Sequence, residues 1–354
     1  MRDALTFILA GGKGERLDPL TRDRAKPAVP FGGIYRIVDF PLSNCVNSGL
    51  RRIFLLTQYK SFSLQRHILE GWNIYSNQLG EFIDVVPAQQ RISSDWFRGA
   101  ADAIYQNLNM IHDYNPKLVL ILAGDHVYKM DYRRMIDYHI AKGADMTVSC
   151  IAMPKSDSVH FGVVEVDATN MVVGFQEKPK EPKVIPADPN SIFGSMGIYL
   201  FNVDVLRREL NIDANKNDSD HDFGKNIIPQ MVQQKQKVFA YDFAKENAFS
   251  PYWRDIGTRD SYYQANMDLL GKAPQFNIYD KSWKLRTHHH HYPPLRAYTT
   301  GNVSGSIVNS LVASGCVLES AHVENSVVSN NVMIKDGASI KHSVIMDGVT
   351  IGAG

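Results

Sequence analysis

Leu5-Thr6-Phe7-Ile8-Leu9-Ala10-Gly11-Gly12-Lys13-Gly14-Glu15-Arg16-Leu17 runs from an apolar segment straight into a loop with three glycines and two cations. A short, continuous apolar run is the pattern of a strand buried on both faces, as in the interior of a parallel sheet. Such sheets bind ligands beyond the carboxyl ends of their strands, which is where these glycines stand. Glycine lets backbone N–H groups approach a polyphosphate without Cβ clashes. Lys13 and Arg16 can neutralise its charge. The Gly-Lys-Ser/Thr ending of a P-loop and the G-x-G-x-x-G spacing of a dinucleotide site are both absent. Alone, the segment reads equally as a surface turn with solvated charges.

The pattern recurs outward. Residues 52–57, 82–86 and 117–123 are further short apolar runs, and 100–111 place Ala103, Ile104, Leu108 and Ile111 on one face at helical spacing. Strand, helix, strand in this order predicts an α/β fold with a Rossmann-like, mostly parallel mixed sheet covered by helices. From about residue 145 the runs 146–151, 162–166 and 171–175 crowd together, which predicts antiparallel strands added to that sheet. Residues 211–222, rich in Asp, Asn and Ser, are expected to form an exposed loop. Residues 258–270 are expected to form a helix that closes the first domain.

After Trp283 a polar, His-rich, Pro-containing stretch reads as a linker, with His288 to His291 as a solvated loop rather than a metal site. Beyond Gly301, Val328, Ile334, Ile340 and Met346 recur every six residues, as do Val332, Ala338 and Val344, with Gly and Asn between them. That period predicts a short parallel β-helix, each unit forming one side of a triangular coil. An ordinary antiparallel β-domain is the weaker alternative. The expected organisation is a first domain over 1–275, a linker over 276–300 and the β-helix over 301–354. The repeat stops inside a unit at Gly354, which reads as a fragment or as an edge covered by a partner subunit.

Composition narrows the function classes. With 44% hydrophobic and 21% charged residues the chain is an ordinary globular protein, long enough for about two domains. Balanced charge, 38 Lys+Arg against 37 Asp+Glu, gives no global pull toward nucleic acid or an anionic membrane. Cys45, Cys150 and Cys316 are far apart and odd in number, which argues for free thiols in a reducing cytoplasm. No signal peptide and no membrane-spanning run is read in the sequence.

Further residues carry candidate chemistry. Lys26, in Ala25-Lys26-Pro27-Ala28, is kept off a helix by the proline and can reach back toward the glycine loop, with Arg24 and Arg36 nearby in sequence. Asp125, in Ala123-Gly124-Asp125-His126, follows a buried strand and suits a divalent cation such as Mg2+, which takes one or two carboxylates plus phosphate oxygens. Its bland alternative is a helix cap, and His126 reads as structural rather than as a ligand. Asp255, in Tyr252-Trp253-Arg254-Asp255, is either a second carboxylate for that cation or a cap for the following helix. Glu177 and Lys178 stand at a strand end before Pro179, placed to meet sugar hydroxyls and a sugar phosphate, or simply solvated. Ser195 is a weaker hydroxyl contact.

Read together, these stretches resemble the sugar-1-phosphate nucleotidyltransferases, and among them the ADP-glucose pyrophosphorylase branch. Carrying the resemblance are residues 9–17, 25–33, 42–49, 87–91 (Pro-Ala-Gln-Gln-Arg), 121–132, 195–199, 221–225 (His-Asp-Phe-Gly-Lys) and 252–258. The resemblance implies synthesis of ADP-glucose and pyrophosphate from ATP and glucose 1-phosphate, in glycogen or starch formation. It implies that Lys13, Arg16 and Lys26 hold the triphosphate and, with Asp125, form the catalytic set. Gly11, Gly12 and Gly14 would cradle ATP, with Gln89 and Gln90 near the adenine. Gly162, Glu177, Lys178 and Ser195 would bind glucose 1-phosphate, and Asp125 and Asp255 would hold Mg2+. A left-handed β-helix, a cytoplasmic homotetramer and small-molecule allosteric effectors are further implications.

Several positions depart from the family pattern. Glu15 stands where Thr or Ser is common, Asp23 where several relatives carry an activator-binding base, Phe97 for Tyr, Ala100 for Thr and Asn226 for Asp. The β-helix is also shorter. Three other readings remain at this point: a nucleotidyltransferase for a different nucleoside or sugar, a regulatory subunit without turnover, and a bifunctional enzyme whose β-helix transfers acyl groups.

Overall fold

The computed structural model describes residues 3–89, 96–301 and 304–354. Its centre is a nine-stranded mixed sheet. In chain order the strands are β1 (Ala4–Leu9), β2 (Arg52–Thr57), β3 (Phe82–Pro87), β4 (Leu118–Ala123), β5 (Met146–Pro154), β6 (Gly162–Val166), β7 (Val172–Glu177), β8 (Ser191–Asn202) and β9 (Val238–Asp242). They lie in the order β7-β6-β8-β4-β1-β2-β3, and β5 pairs with both β8 and β9. The first four strands are parallel, with Leu9 beside Leu56 and Ala123. The later strands enter antiparallel, β8 against β4 and β5, β6 against β7 and β8, while β9 runs parallel to β5.

The apolar run of β1 is buried on both faces because its side chains alternate. Leu5 and Phe7 enter one core with Phe54, Ile121 and Phe201. Ala4 and Ile8 enter the other with Leu55, Leu122 and Met130. A third core gathers Leu17, Phe31, Phe40, Tyr262 and Phe276, and against it pack Leu311, Val344 and Met346 of the C-terminal region.

That region forms three parallel sheets, one per side of a triangular coil. Ser306, His322 and Ser339 align on one side, and Leu311, Val327 and Val344 on the next. The coil takes 16 or 17 residues, so only one or two of its three sides span six residues and the rest span five. Leu318, Val323, Val328, Ile334 and Ile340 fill the interior. Asn309, Asn325 and Asn331 adopt positive φ, the left-handed conformation that asparagine tolerates better than most residues.

Three expectations are corrected. The helix over 100–111 is two helices, Ala100–Tyr105 and Leu108–Tyr114. At the break the Asn107 side chain donates to the Ala103 carbonyl and Gln106 donates to Asp102, which competes with helical backbone bonding. Residues 211–222 do not form an exposed loop throughout: the first four complete the helix Val203–Ala214, and His221 is buried with its Nδ1 2.7 Å from Asp213 Oδ2. The first part of 276–300 is not a free linker. Phe276, Trp283, Leu285 and Thr287 are buried. Trp283 donates to Asn44, Arg286 N–H to Ser43, and Thr287 to Asp39. His288 packs so closely on Gly71 that a Cβ there would lie 2.6 Å from its own, so the histidine run begins docked rather than solvated.

Candidate active site

The site forms where β1 and β4 end side by side. Gly124 N–H donates to the Leu9 carbonyl at 3.0 Å, and a Cβ on Gly124 would lie 2.9 Å from that oxygen. Glycine is therefore required for the turn that presents Asp125 beside the glycine loop. The chain continues as a short strand, His126–Tyr128, antiparallel to Trp253–Asp255, with Asp255 directly opposite His126. This register carries Asp255 to Asp125. Neither aspartate caps a helix; Thr258 caps Arg259–Met267 with a capping box.

Lys26 joins the two carboxylates. Its Nζ lies 2.7 Å from Asp125 Oδ2 and 2.8 Å from Asp255 Oδ1, on a side chain only 9% exposed. Burial opposes the charge on Lys26, but the two carboxylates outweigh it and raise its pKa. Burial likewise opposes the charge on Asp125, and the ammonium outweighs it, holding the carboxyl well below the usual carboxylate range. The Lys26 ammonium was expected to reach back toward the glycine loop; its stem packs there instead, at 3.0 Å from a Cβ built on Gly14, where φ is 66°, while the ammonium goes to the carboxylates.

Arg16 faces the same centre. A Cβ on Gly257 would meet both Arg16 Nη2, at 3.3 Å, and Asp255 Oδ2, at 3.1 Å. Lys13 is exposed and lies 3.9 Å from Glu15, a separation at which a solvated pair contributes little. Gly11 and Gly12 line an apolar slot of about 280 Å3 with Leu9, Leu56, Phe97 and Ala103. Its wall is fixed by Gln58, whose Oε1 accepts from the Phe97 N–H at 2.9 Å. Gln58 and the slot-lining role of Phe97 were not expected. Gln89 is exposed and does not line this slot; Gln90 lies outside the described residues.

A second cavity, of about 220 Å3 and bordered by Asp255, brings together Gly162, Glu177 and Ser195. Gly162 is pressed by Phe175, whose ring would lie 2.4 Å from an added Cβ. Lys178 is not among the lining residues; its ammonium sits 3.1 Å from Glu177 Oε1 at the rim, more than half exposed. Sequence reasoning missed Trp253, Asp222 and Lys225, which line the cavity. Alternation would have found Trp253, two residues from Asp255 on one strand face. A larger cavity of about 640 Å3 lies at the edge strand β3, lined by Trp72, Phe82 and Met110, and holds none of these groups.

Asp125, His126 and Asp255 each offer one ligand atom, all within 4.8 Å of one another. Two carboxylates at a cluster where an ammonium already takes a cation's place fit a divalent metal, which nucleotidyl transferases of this kind generally use.

A glycine-lined slot and a polar cavity near a paired-carboxylate centre fit a nucleotidyl transferase, and the model of that family, Nucleotidyl transferase, matches residues 5–272. Within that class the chain belongs to the glucose-1-phosphate adenylyltransferase family. It is 48% identical to glucose-1-phosphate adenylyltransferase 2 of Vibrio cholerae, over 100% of this chain and 88% of the relative. It is 49% identical to the glucose-1-phosphate adenylyltransferase of Koribacter versatilis, over 99% and 85%, and 48% identical to that of Methylococcus capsulatus, over 99% and 83%. A second model, the GlmU-like C-terminal hexapeptide, matches residues 293–354, consistent with a left-handed β-helix. No described helix is long and apolar enough to cross a membrane.

Proposed function

We propose that the protein forms ADP-glucose and pyrophosphate from ATP and α-D-glucose 1-phosphate. The observation that carries this is the Lys26 ammonium bound to both Asp125 and Asp255 between the glycine-lined slot and the polar cavity. In this reading residues 1–275 carry the chemistry in the cytoplasm, and 301–354 serve assembly and regulation in a homotetramer with small-molecule effectors.

Gly11 and Gly12 admit the nucleotide to the slot, with Gln89 and Gln90 toward the base, while Gly14 holds the loop against Lys26. Gly162, Glu177 and Ser195 receive the glucose hydroxyls, and Lys178 steers the phosphate at the rim. A sugar-phosphate oxygen then attacks the α-phosphorus in line; one P–O bond forms, the bond to the β-phosphate bridging oxygen breaks, and pyrophosphate leaves. No covalent enzyme intermediate and no proton transfer is needed, so the residues act by alignment and charge stabilisation. Arg16, Lys13 and Lys26 offset the charge that builds on the leaving group. Mg2+ on Asp125 and Asp255 would supply further neutralisation of the phosphate oxygens.

Pyrophosphate release measured with ATP, UTP, dTTP and GTP against glucose 1-phosphate tests the reading. Release with ATP well above the others is expected. Absence of release with ATP, or a clear preference for another nucleotide, rejects it.

A further inference from the structure

We propose that the buried pair of His221 and Asp213 positions both substrates at once, by fixing a single loop that borders the nucleotide slot and the sugar cavity alike. His221 is a positioning residue in this sense, since it lines neither pocket. The inference rests on the reading that the slot receives ATP and the cavity glucose 1-phosphate; it adds the element that ties the two together.

The loop joins the helix Val203–Ala214 to the turn Phe223–Ile227. Asp213, near the end of that helix, and His221 are both 2% exposed. Both oxygens of Asp213 are spent on the loop. Oδ2 lies 2.7 Å from His221 Nδ1, and Oδ1 accepts from the Ser219 hydroxyl at 2.6 Å. The Ser219 oxygen in turn accepts from the His221 N–H at 3.0 Å. A buried polar network with its members paired in this way is rigid, so residues 219–221 are anchored to the helix rather than left to pack loosely.

On the slot side the anchored loop meets main chain. The His221 carbonyl accepts from the Ala101 N–H at 2.8 Å. That N–H is one of the donors a helix leaves open at its start, and Gly99, at the N-cap of Ala100–Tyr105, has no side chain to bond it. A Cβ on Gly99 would lie 2.3 Å from the carbonyl oxygens of both Asp220 and His221. Gly99, Ala100 and Ala103 line the nucleotide slot. The backbone at 220–221 therefore sets where that wall stands.

On the cavity side the chain turns at His221, where φ is 50°, a left-handed conformation that few residues with side chains adopt. The next residue, Asp222, lines the sugar cavity with Gly224 and Lys225. Asp222 Oδ1 accepts from the Gly224 and Lys225 N–H groups at 2.9 and 3.1 Å, and the Lys225 ammonium donates to Asp220 at 2.9 Å. These three residues thus hang on the loop that Asp213 anchors. A shift of 220–221 displaces both pockets together. Because the sugar-phosphate oxygen and the α-phosphorus must meet in line, such a shift reaches kcat as well as binding.

The test is pyrophosphate release by the full chain, as initial rates at varied ATP and at varied glucose 1-phosphate, with the Tm of each variant alongside. His221→Gly keeps the left-handed turn accessible and removes the imidazole. It is expected to raise KM for both substrates by about five- to tenfold and to lower kcat. Ser219→Ala leaves the imidazole in place and frees one oxygen of its anchor; a rise of about two- to threefold in both KM values is expected. Asp213→Asn retains an oxygen for His221 and offers its amide to Ser219, so its constants should stay within about twofold of the natural protein, whereas Asp213→Ala should match His221→Gly. A lower Tm with kcat and both KM values unchanged in His221→Gly and Ser219→Ala would make the pair purely structural and overturn the proposal. A rise in KM for one substrate alone would overturn the tie between the pockets. Ser219→Ala decides even where His221→Gly fails to fold. A natural protein that releases no pyrophosphate from ATP and glucose 1-phosphate rejects the reading of the two pockets, and this inference with it, before any variant is made.

Discussion

Lys26 Nζ donates to Asp255 Oδ1 at 2.8 Å across 229 positions of sequence. The contact closes the site, because Asp255 belongs to a strand laid down after the whole main sheet. Removing the ammonium leaves two neighbouring carboxylates to repel each other. Lys26→Met is therefore expected to lower kcat by about 100- to 1000-fold, the range for losing one preorganised charged donor. Breaking a fully buried pair costs about 3–5 kcal/mol. Asp125 and Asp255 are each more than a quarter exposed, so a loss of about 1–3 kcal/mol is expected here after screening. Pyrophosphate release and urea unfolding measure the two effects. A variant within threefold of the natural kcat would remove Lys26 from the chemistry.

Lys178 and Asp125 are expected to fail in opposite ways. Lys178 stands at the cavity rim, more than half exposed, where it meets the substrate before and during the reaction alike. Lys178→Ala should raise KM for glucose 1-phosphate by about tenfold or more with a smaller fall in kcat, the signature of uniform binding. Asp125→Asn should lower kcat with little change in that KM. Initial rates over a glucose 1-phosphate series separate the two, and identical kinetic patterns would end this division of roles.

The glycine loop, Gly124-Asp125 and the sheet that presents them were legible because each is a contiguous pattern at the end of an apolar run. The convergence of Asp125 with Asp255 was expected from chemistry, yet its cause was not readable. It depends on the pairing of 126–128 with 253–255, and two three-residue strands carry no periodicity. The same gap hid Trp253. Asp222 and Lys225 stood inside a quoted motif without a role, since only the folded loop turns them toward the cavity. Residues 276–287 misled for a different reason: their polar composition resembles a linker, but their polar groups are spent on Asn44, Ser43 and Asp39.

That docked segment gives a pH prediction. Asp280 is brought to about 2 by the Ser282 hydroxyl and by Lys129, whose buried ammonium also donates to the Asn277 carbonyl. A carboxyl depressed in the folded state stabilises it above the unfolded pKa, near 4, and the contribution disappears as pH falls through the folded value. Asp280 is about a quarter exposed, so about 1–2 kcal/mol is expected at neutral pH after screening. Asp280→Asn should therefore lower Tm at pH 7. The gap to the natural protein should close as pH falls from about 4 toward 2. A gap that stays constant across that interval would assign the stabilisation to something other than the carboxylate charge.

Gly124 tests how closely the two strand ends must approach. A methyl group there would meet the Leu9 carbonyl oxygen at 2.9 Å and the Ile8 Cγ2 at 3.1 Å. The first obstacle is backbone inside a paired strand, so it cannot swing aside as a side chain would. Relief has to come from moving the turn, and Asp125 is its next residue. Overpacking of this kind costs about 1–3 kcal/mol. A displacement of about 1 Å at a reacting centre can cost about 100-fold in rate. Gly124→Ala is thus expected to lower kcat by tenfold or more. KM for ATP should change little, because the slot lined by Gly11, Gly12 and Phe97 does not include Gly124. Steady-state rates at saturating glucose 1-phosphate measure both. If the variant instead raised KM for ATP and kept kcat, the glycine would be serving the nucleotide slot, and the tight turn would not be what aligns Asp125 with Lys26.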